Sequence, residues 1–292
     1  MPQTKSAVRK ALIPIAGKGT RLMPITSAVP KALFPLVDGN ERIYAVLHFI
    51  LKEPKSAGIE QIGIIVNPKQ IEILEHYFDA AKKIGFNDLP SQIEYIVQPS
   101  SLGFGDAVLQ GSEFVGDESF LLLLGDHVYL EDRGKQTCVA QVVQAFDSTS
   151  GVAMIGVQQV QRNELSKVGV ARGVQIQQGI YHCTNFVEKP NIMTAQRSLV
   201  TPGLPKGTFL AHCGIYIFSP EIFDYLLQVS SRTQNASKEI ELAEAQALLL
   251  EKYPEKYFLY KIAGRAYDTG TPTGYAAAQA AFRSRGKLDA TD

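Results

Sequence analysis

Gly17-Lys18-Gly19-Thr20-Arg21 follows an apolar run, Ala11 to Ala16, of strand length. A turn with two glycines lets backbone N–H groups approach a ligand closely, because no Cβ stands in the way. With Arg21 beside them and Lys31 after Pro30, these amides line a donor-rich, positive concavity of the kind that suits a polyphosphate. Ala16, Gly17, Gly19 and Thr20 are the candidate backbone contacts. The plainer reading is a basic surface loop between a strand and a helix.

Three further stretches carry usable chemistry. In Gln98-Pro-Ser-Ser-Leu-Gly-Phe-Gly-Asp-Ala107, Gly103 and Gly105 permit close backbone approach. The Gln98 amide offers both a donor and an acceptor, the mixed pattern that one edge of uracil or thymine presents. A lone glutamine in a loop is by default solvent-exposed, so the two readings compete. In Leu124-Gly-Asp126-His127 an apolar strand ends in a carboxylate, and Mg2+ prefers one or two carboxylates together with phosphate oxygens. His127 reads as structural. In Phe186-Val-Glu188-Lys189-Pro190 the carboxylate can accept from sugar hydroxyls while the ammonium meets a phosphate as a point charge. By composition alone that pair is an ordinary loop pair.

Two common phosphate motifs are absent. A P-loop needs Gly, four residues, then Gly-Lys-Ser/Thr, and here Gly17-Lys18 is followed by Gly19 with Leu12 five positions before. A dinucleotide fingerprint needs a third glycine three residues after the second, and that position is Leu22. What the chain has is Gly17-x-Gly19-Thr20-Arg21-x-x-Pro24-x-Thr26, followed by Pro30-Lys31. This resembles the signature of the sugar-phosphate nucleotidyltransferases, and most of all the bacterial UTP–glucose-1-phosphate uridylyltransferases. The likeness runs from about Lys10 to Phe282 and includes Val187-Glu-Lys-Pro190 and the stretch EIELAEAQA from Glu239 to Ala247.

The resemblance implies an activity: UDP-glucose and pyrophosphate from UTP and glucose 1-phosphate, with Mg2+ as cofactor. It implies catalytic roles for Arg21, Lys31 and Lys189, and nucleotide contacts at Ala16, Gly17, Gly19, Thr20, Gln98 and Gly103. Glu188, Lys189 and Gly214 would bind the sugar. The metal would sit between Asp126 and Asp268 of Tyr267-Asp-Thr-Gly270, although nothing in the sequence brings those two together, and a turn aspartate bonding its own backbone is the plainer reading of Asp268. Two positions depart from the family: Ala32 stands where a Glu is usual, and Asp38-Gly39-Asn40 replaces Asp-Lys-Pro. A glucose-1-phosphate thymidylyltransferase using dTTP is the nearest alternative. A non-catalytic relative that binds nucleotide sugar is the alternative of another class, and hydride transfer is remote.

Composition sets the frame for these residues. The chain has 29 Lys+Arg against 29 Asp+Glu, so no global field points to nucleic acid or an anionic membrane. Its apolar share of 45% and charged share of 20% are those of an ordinary globular protein. Cys138, Cys183 and Cys213 have no metal or disulfide spacing, and neither do the five histidines. No signal peptide and no run near the ~20 apolar residues of a membrane span is visible. A cytoplasmic protein is expected, working as a homo-oligomer of two or four copies.

The elements that must position the candidates alternate. Strands are expected at Gln61–Val66, Ile93–Val97, Phe120–Leu124 and Val152–Val160. Between them, helices are expected at Ile43–Ala57, Gln70–Phe78, Asp106–Phe114 and Thr137–Phe146. Such repeats imply a mainly parallel sheet covered on both faces, an α/β, Rossmann-like three-layer fold. After Val160 the pattern turns β-rich: Gly169–Val174, Ile180–Glu188 and Phe209–Phe218, with turn glycines at Gly173 and Gly179. A loop over 190–207 with one helical turn, a helix Glu239–Lys252, a strand Phe258–Ile262, an Asp268 loop, a helix Thr273–Arg283 and a frayed tail after Ser284 complete the reading. One domain, 1–292, is expected, with a nucleotide half at about 8–160 and a β-rich sugar-binding half at about 161–284.

Overall fold

A computed structural model describes residues 7–86, 88–233 and 238–289. In chain order the strands and helices are β1 Lys10–Pro14, β2 Pro35–Val37, β3 Ile43–Ala45, α1 Val46–Ser56, β4 Gln61–Val66, α2 Ile71–Lys83, β5 Gln92–Val97, α3 Phe104–Gln110, α4 Ser112–Val115, β6 Phe120–Leu123 and β7 His127–Glu131. They continue as α5 Cys138–Asp147, β8 Ala153–Gln161, β9 Gly169–Gln177, β10 Ile180–Glu188, α6 Ile192–Ser198, β11 Thr208–Phe218, α7 Glu221–Thr233, α8 Leu242–Lys252, β12 Tyr257–Lys261, β13 Gly264–Asp268 and α9 Pro272–Asp289.

The main sheet has nine strands in the order β5-β4-β1-β6-β11-β8-β12-β10-β9. All but β10 and β11 run in one direction, as their pairings require. The alternation expected of strands buried on both faces is visible in β1. Ala11 and Ile13 enter one core with Val46, Leu47, Ile50 and Val139. Leu12 enters the other with Val108, Phe223, Leu226 and Leu249. Helices α1 and α5 thus cover one face and α3, α7 and α8 the other, which gives the three layers. Each fully buried aliphatic side chain contributes about 1.5–3 kcal/mol relative to exposure, so this alternation fixes the register of β1 and of the loop that leaves it. Among the described residues no helix is long and apolar enough to cross a membrane.

Beyond β8 the sheet curls. β9 also pairs with β11, Leu210 opposite Ala171 and Ala211 opposite Val170, so β11, β8, β12, β10 and β9 close on themselves. The bend in β11 is accommodated by a bulge between His212 and Tyr216, where Gly214 takes φ 80°.

Several expected elements differ. Ile43–Ala45 is a strand of the β2–β3 hairpin and not the first turn of α1, as suits an Ile-Tyr pair beside another extended segment. The helix expected over Asp106–Phe114 is broken at Gly111, where a Cβ would lie 2.4 Å from Leu12 Cδ1. Residues 239–241 are not helical: Ile240 exchanges backbone hydrogen bonds with Leu102 and Gly105, and α8 begins at Leu242. The loop over 190–207 contains the two-turn helix α6, capped by Asn191 Oδ1 accepting from Thr194 N–H at 2.8 Å. Gly173 lies inside β9, where a Cβ would strike Tyr181, and only Gly179 serves a turn, with φ 79°. The Asp268 loop is strand β13, α7 had no counterpart in the sequence reading, and α9 continues past Ser284 to Asp289.

Candidate active site

The loop after β1 is fixed from both sides. Gly19 adopts φ 64°, with its carbonyl accepting from Thr26 Oγ1 at 2.9 Å. The Ile15 carbonyl accepts from buried Gln70 Nε2 at 3.0 Å, and that of Ala16 from Asn67 Nδ2 at 3.4 Å. Asn67 and Gln70 form a capping box ahead of α2, an Asn-Pro-Lys-Gln signal present in the sequence and not used in reading it. At Gly17 a Cβ would meet no protein atom within 4 Å, so the space on that side of the residue is open. Thr20 opens a 3-10 turn, Thr20–Leu22, which carries Arg21.

The short antiparallel pair β7–β13, with Asp268 opposite His127, brings the two distant aspartates together. Thr269 seals the end of that pair, donating from both N–H and Oγ1 to the Asp126 carbonyl at 2.7 Å. Ligand atoms of Asp126, His127 and Asp268 all lie within 4.8 Å of one another. Lys31 Nζ is 2.5 Å from Asp126 Oδ2, their side chains only 17% and 13% exposed, and Arg21 Nη1 is 3.7 Å from Asp268 Oδ2. Asp268 also accepts from its own Gly270 N–H at 2.8 Å through Oδ1. The turn role and the site role coexist, one oxygen for each.

Electrostatics keep Asp126 ionised. Burial by itself would raise its pKa, but the hydrogen bond from His127 and the nearby charge of Lys31 outweigh it, holding the carboxyl well below the usual range. Since that carboxylate only accepts, His127 Nδ1 must carry the hydrogen of their 3.0 Å contact. His127, read above as merely structural, therefore orients Asp126. Its ring is packed in turn under Gly214, where a Cβ would lie 3.1 Å from two ring carbons.

This cluster can hold a hard cation. Two carboxylates converge, a donor set that suits an oxygen-seeking cation, and Gly270 leaves the room for it. A Cβ at Gly270 would stand 2.5 Å from Asp126 Oδ2, 2.9 Å from Asp268 Oδ1 and 3.1 Å from Arg21 Nη2.

Glu188 and Lys189 form a second group, at the end of β10. Lys189 Nζ lies 3.5 Å from Glu188 Oε1, with side chains 61% and 42% exposed. It pairs with its neighbour and not with the Asp126 cluster. Its backbone is left-handed, φ 47°, and held by its N–H donating to the Val168 carbonyl at 3.1 Å. Such a conformation costs a non-glycine residue roughly 1–2 kcal/mol, and strain of this kind gathers at functional sites.

The third group departs from the plainer reading of its loop. Gln98 is buried, not solvent-exposed. Its Nε2 donates to Asp106 Oδ2 at 2.7 Å and to the Gly103 carbonyl at 3.3 Å, so both amide hydrogens are engaged. Gly103 and Gly105 do permit close approach, but of the chain itself: Cβ atoms there would lie 2.6 and 2.8 Å from the Ile240 carbonyl oxygen. The family departures have local roles in the fold. Ala32 is wholly buried in the core. Asp38 Oδ1 accepts from Asn40 and Arg42 N–H at 2.9 Å in the tip of the β2–β3 hairpin.

Comparisons with known proteins identify the family of the chain. The nucleotidyl transferase family profile matches residues 10–285. A UTP–glucose-1-phosphate uridylyltransferase of Bacillus subtilis is 34% identical over 287 residues, 92% of this chain and 88% of that one. UTP–glucose-1-phosphate uridylyltransferase 2 of Staphylococcus saprophyticus is 32% identical over 284 residues, 92% and 89% of the two chains. A solved UDP-glucose pyrophosphorylase complexed with UDP-glucose superimposes with a TM-score of 0.78 at 28% identity, over 95% of this chain and 99% of that one. Matched along nearly its whole length, the chain belongs to the nucleotidyl transferase family.

Proposed function

We propose that this chain is a UTP–glucose-1-phosphate uridylyltransferase, forming UDP-glucose and pyrophosphate from UTP and glucose 1-phosphate. The observation that carries the reading is the convergence of Arg21, Lys31, Asp126 and Asp268 around Gly270, beside a loop that leaves open space at Gly17. A phosphate oxygen of the sugar phosphate bonds to the α-phosphorus of UTP, the bond from that phosphorus to the bridging oxygen breaks, and pyrophosphate leaves with the electron pair. A phosphate monoester has a second pKa of about 6, so at neutral pH the nucleophile is already dianionic and no general base is needed. The enzyme's task is to hold two anions together and offset the charge that develops between them.

Arg21 meets the triphosphate, Lys31 the transferring and leaving phosphates, and Lys189 the sugar phosphate. Ala16, Gly17, Gly19 and Thr20 supply the phosphate-facing loop, and Glu188 and Gly214 face the hexose. Asp126 and Asp268 would hold Mg2+, which would supply charge neutralisation for the phosphates. Gln98, with its donors engaged, presents Oε1 as acceptor to the N3–H of a pyrimidine, beside Gly103. That edge is common to uracil and thymine, so Gln98 does not by itself separate UTP from dTTP. Residues 8–160 form the nucleotide half and 161–284 the sugar half of one domain. The free thiols of Cys138, Cys183 and Cys213 suit a cytoplasmic protein, and a dimer or tetramer completes the reading.

Pyrophosphate release, measured with UTP and dTTP against a panel of sugar 1-phosphates, tests it. Turnover is expected with UTP and glucose 1-phosphate, and higher kcat/KM for dTTP would replace uridylyl with thymidylyl transfer. No release with any pair would leave a nucleotide-sugar binder.

A further inference from the structure

His212 lies on β11, two residues before Gly214, and no motif singled it out. Its residue is only 7% exposed, and its Nε2 is fully buried without a hydrogen-bond partner. The ring packs at 5.5 Å against Phe186 and at 5.9 Å against Tyr216, in a place a phenylalanine would fill as well. Burial in this apolar setting pushes its pKa down to about 4, so the ring is neutral at physiological pH. A buried polar atom without a partner is a net cost to the fold, and one kept in a native core needs a reason.

The reason lies at the other nitrogen. At Gly169, the first residue of β9, the point where a Cβ would stand is 3.0 Å from His212 Nδ1 and 2.9 Å from Glu188 Oε2. A glycine hydrogen is all that occupies the corner between the imidazole and the carboxylate. The β9–β11 pairing that closes the curled sheet places Val170 opposite Ala211 and so fixes this corner. A neutral imidazole carries one hydrogen; with Nε2 as the unpartnered lone pair, that hydrogen sits on Nδ1 and faces the side where Glu188 lies, and this tautomer is part of the proposal that follows.

We propose that His212 is a positioning and specificity residue of the hexose site: its Nδ1–H, set beside Glu188 at the Gly169 corner, selects the orientation of the sugar hydroxyl that Glu188 accepts from. The inference rests on the sugar-phosphate reading above. It deepens that reading, since the hexose is then recognised by a donor–acceptor pair and not by Glu188 alone. The fold tolerates an unpartnered Nε2 in order to present Nδ1.

His212→Phe keeps the ring stack and removes both nitrogens, and His212→Gln restores a side-chain donor. Steady-state kinetics are measured for glucose 1-phosphate, its galactose and mannose epimers and its deoxy analogues, with UTP varied separately, alongside thermal unfolding of the free protein. His212→Phe is expected to raise KM for glucose 1-phosphate about tenfold and to narrow the preference over at least one epimer. KM for UTP should be unchanged and Tm equal or higher, because the unpartnered nitrogen is gone. His212→Gln should recover part of the sugar KM. An unchanged sugar KM and epimer preference in His212→Phe overturns the proposal, and so does a fall in Tm with equal losses for both substrates, which marks a packing role. If the wild-type protein turns over no sugar 1-phosphate, the activity reading fails first. Thermal shift with glucose 1-phosphate then decides the inference, which is overturned if wild type and His212→Phe respond alike.

Discussion

Around Asp126 the cations are held by carboxylates; around Lys189 the cation is held by its backbone. Lys31 is largely buried, with Asp126 at 2.5 Å and His127 fixing the far oxygen of the same carboxylate. Lys189 is mostly exposed, its neighbour Glu188 at 3.5 Å, and its direction comes from a left-handed φ of 47°. On the proposed function, the difference matches what each site would receive. A nucleoside triphosphate would bring a large charge to the Asp126 region, where the positive groups are already paired with carboxylates. A sugar phosphate would come to Lys189 as a nucleophile and meet an ammonium still exposed to water. One region stores its charge in contacts, the other in conformation.

If so, removing the buried lysine does the most damage. In Lys31→Ala the Asp126 carboxylate loses its closest cation, and breaking a buried pair from one side costs about 3 kcal/mol. Loss of a positioned donor also slows turnover about 100- to 1,000-fold. Urea unfolding together with saturating kinetics measures both, and a variant with wild-type stability would show that the pair is not a structural unit. The pH dependence follows the same logic. Asp126 is held below its ordinary value, so it adds stability above the ordinary carboxylate pKa of about 3.9 and loses it as the pH falls into the acid range. Lys31→Ala should flatten that acid loss.

Lys189→Ala should separate the two regions. Here kcat/KM for glucose 1-phosphate is expected to fall about 100-fold, while stability and the KM for UTP stay near wild type, because the exposed Glu188–Lys189 pair is worth little. Wild-type kinetics would remove Lys189 from the site, and a large loss of stability would erase the contrast with Lys31.

The two regions also differed in how far the sequence revealed them. The apolar run before Gly17, the two glycines, Arg21 and Lys31 lie within one local stretch, so strand, turn and charge are read together. The fold class was legible for a related reason: strands buried on both faces are apolar throughout, as in Phe120–Leu123. The meeting of Asp126 with Asp268 was not. It depends on β7 and β13, two five-residue strands separated by more than a hundred residues, whose pairing no local pattern encodes. The bulge at Gly214 and the β9–β11 closure that sets His212 beside Glu188 are tertiary in the same way. At Gly103 and Gly105 the sequence signals close approach without saying of what. Here the approaching group is Ile240.

The smallest expected effect isolates the backbone of Lys189. Lys189→Ala and Lys189→Gly both delete the ammonium, so both should lose sugar-phosphate turnover equally. They differ in conformation, since alanine keeps the left-handed strain and glycine adopts that φ freely. Lys189→Gly should therefore be about 1 kcal/mol more stable than Lys189→Ala, a rise of about 2 °C in a domain of this size. The added freedom of glycine in the unfolded chain works against this gain and keeps it small. Equal melting temperatures for the two variants would mean that Val168 and Pro190 let the chain adopt this φ without strain. The contrast with Lys31 would then rest on hydration alone, one lysine paired in the dry interior and the other reaching into water.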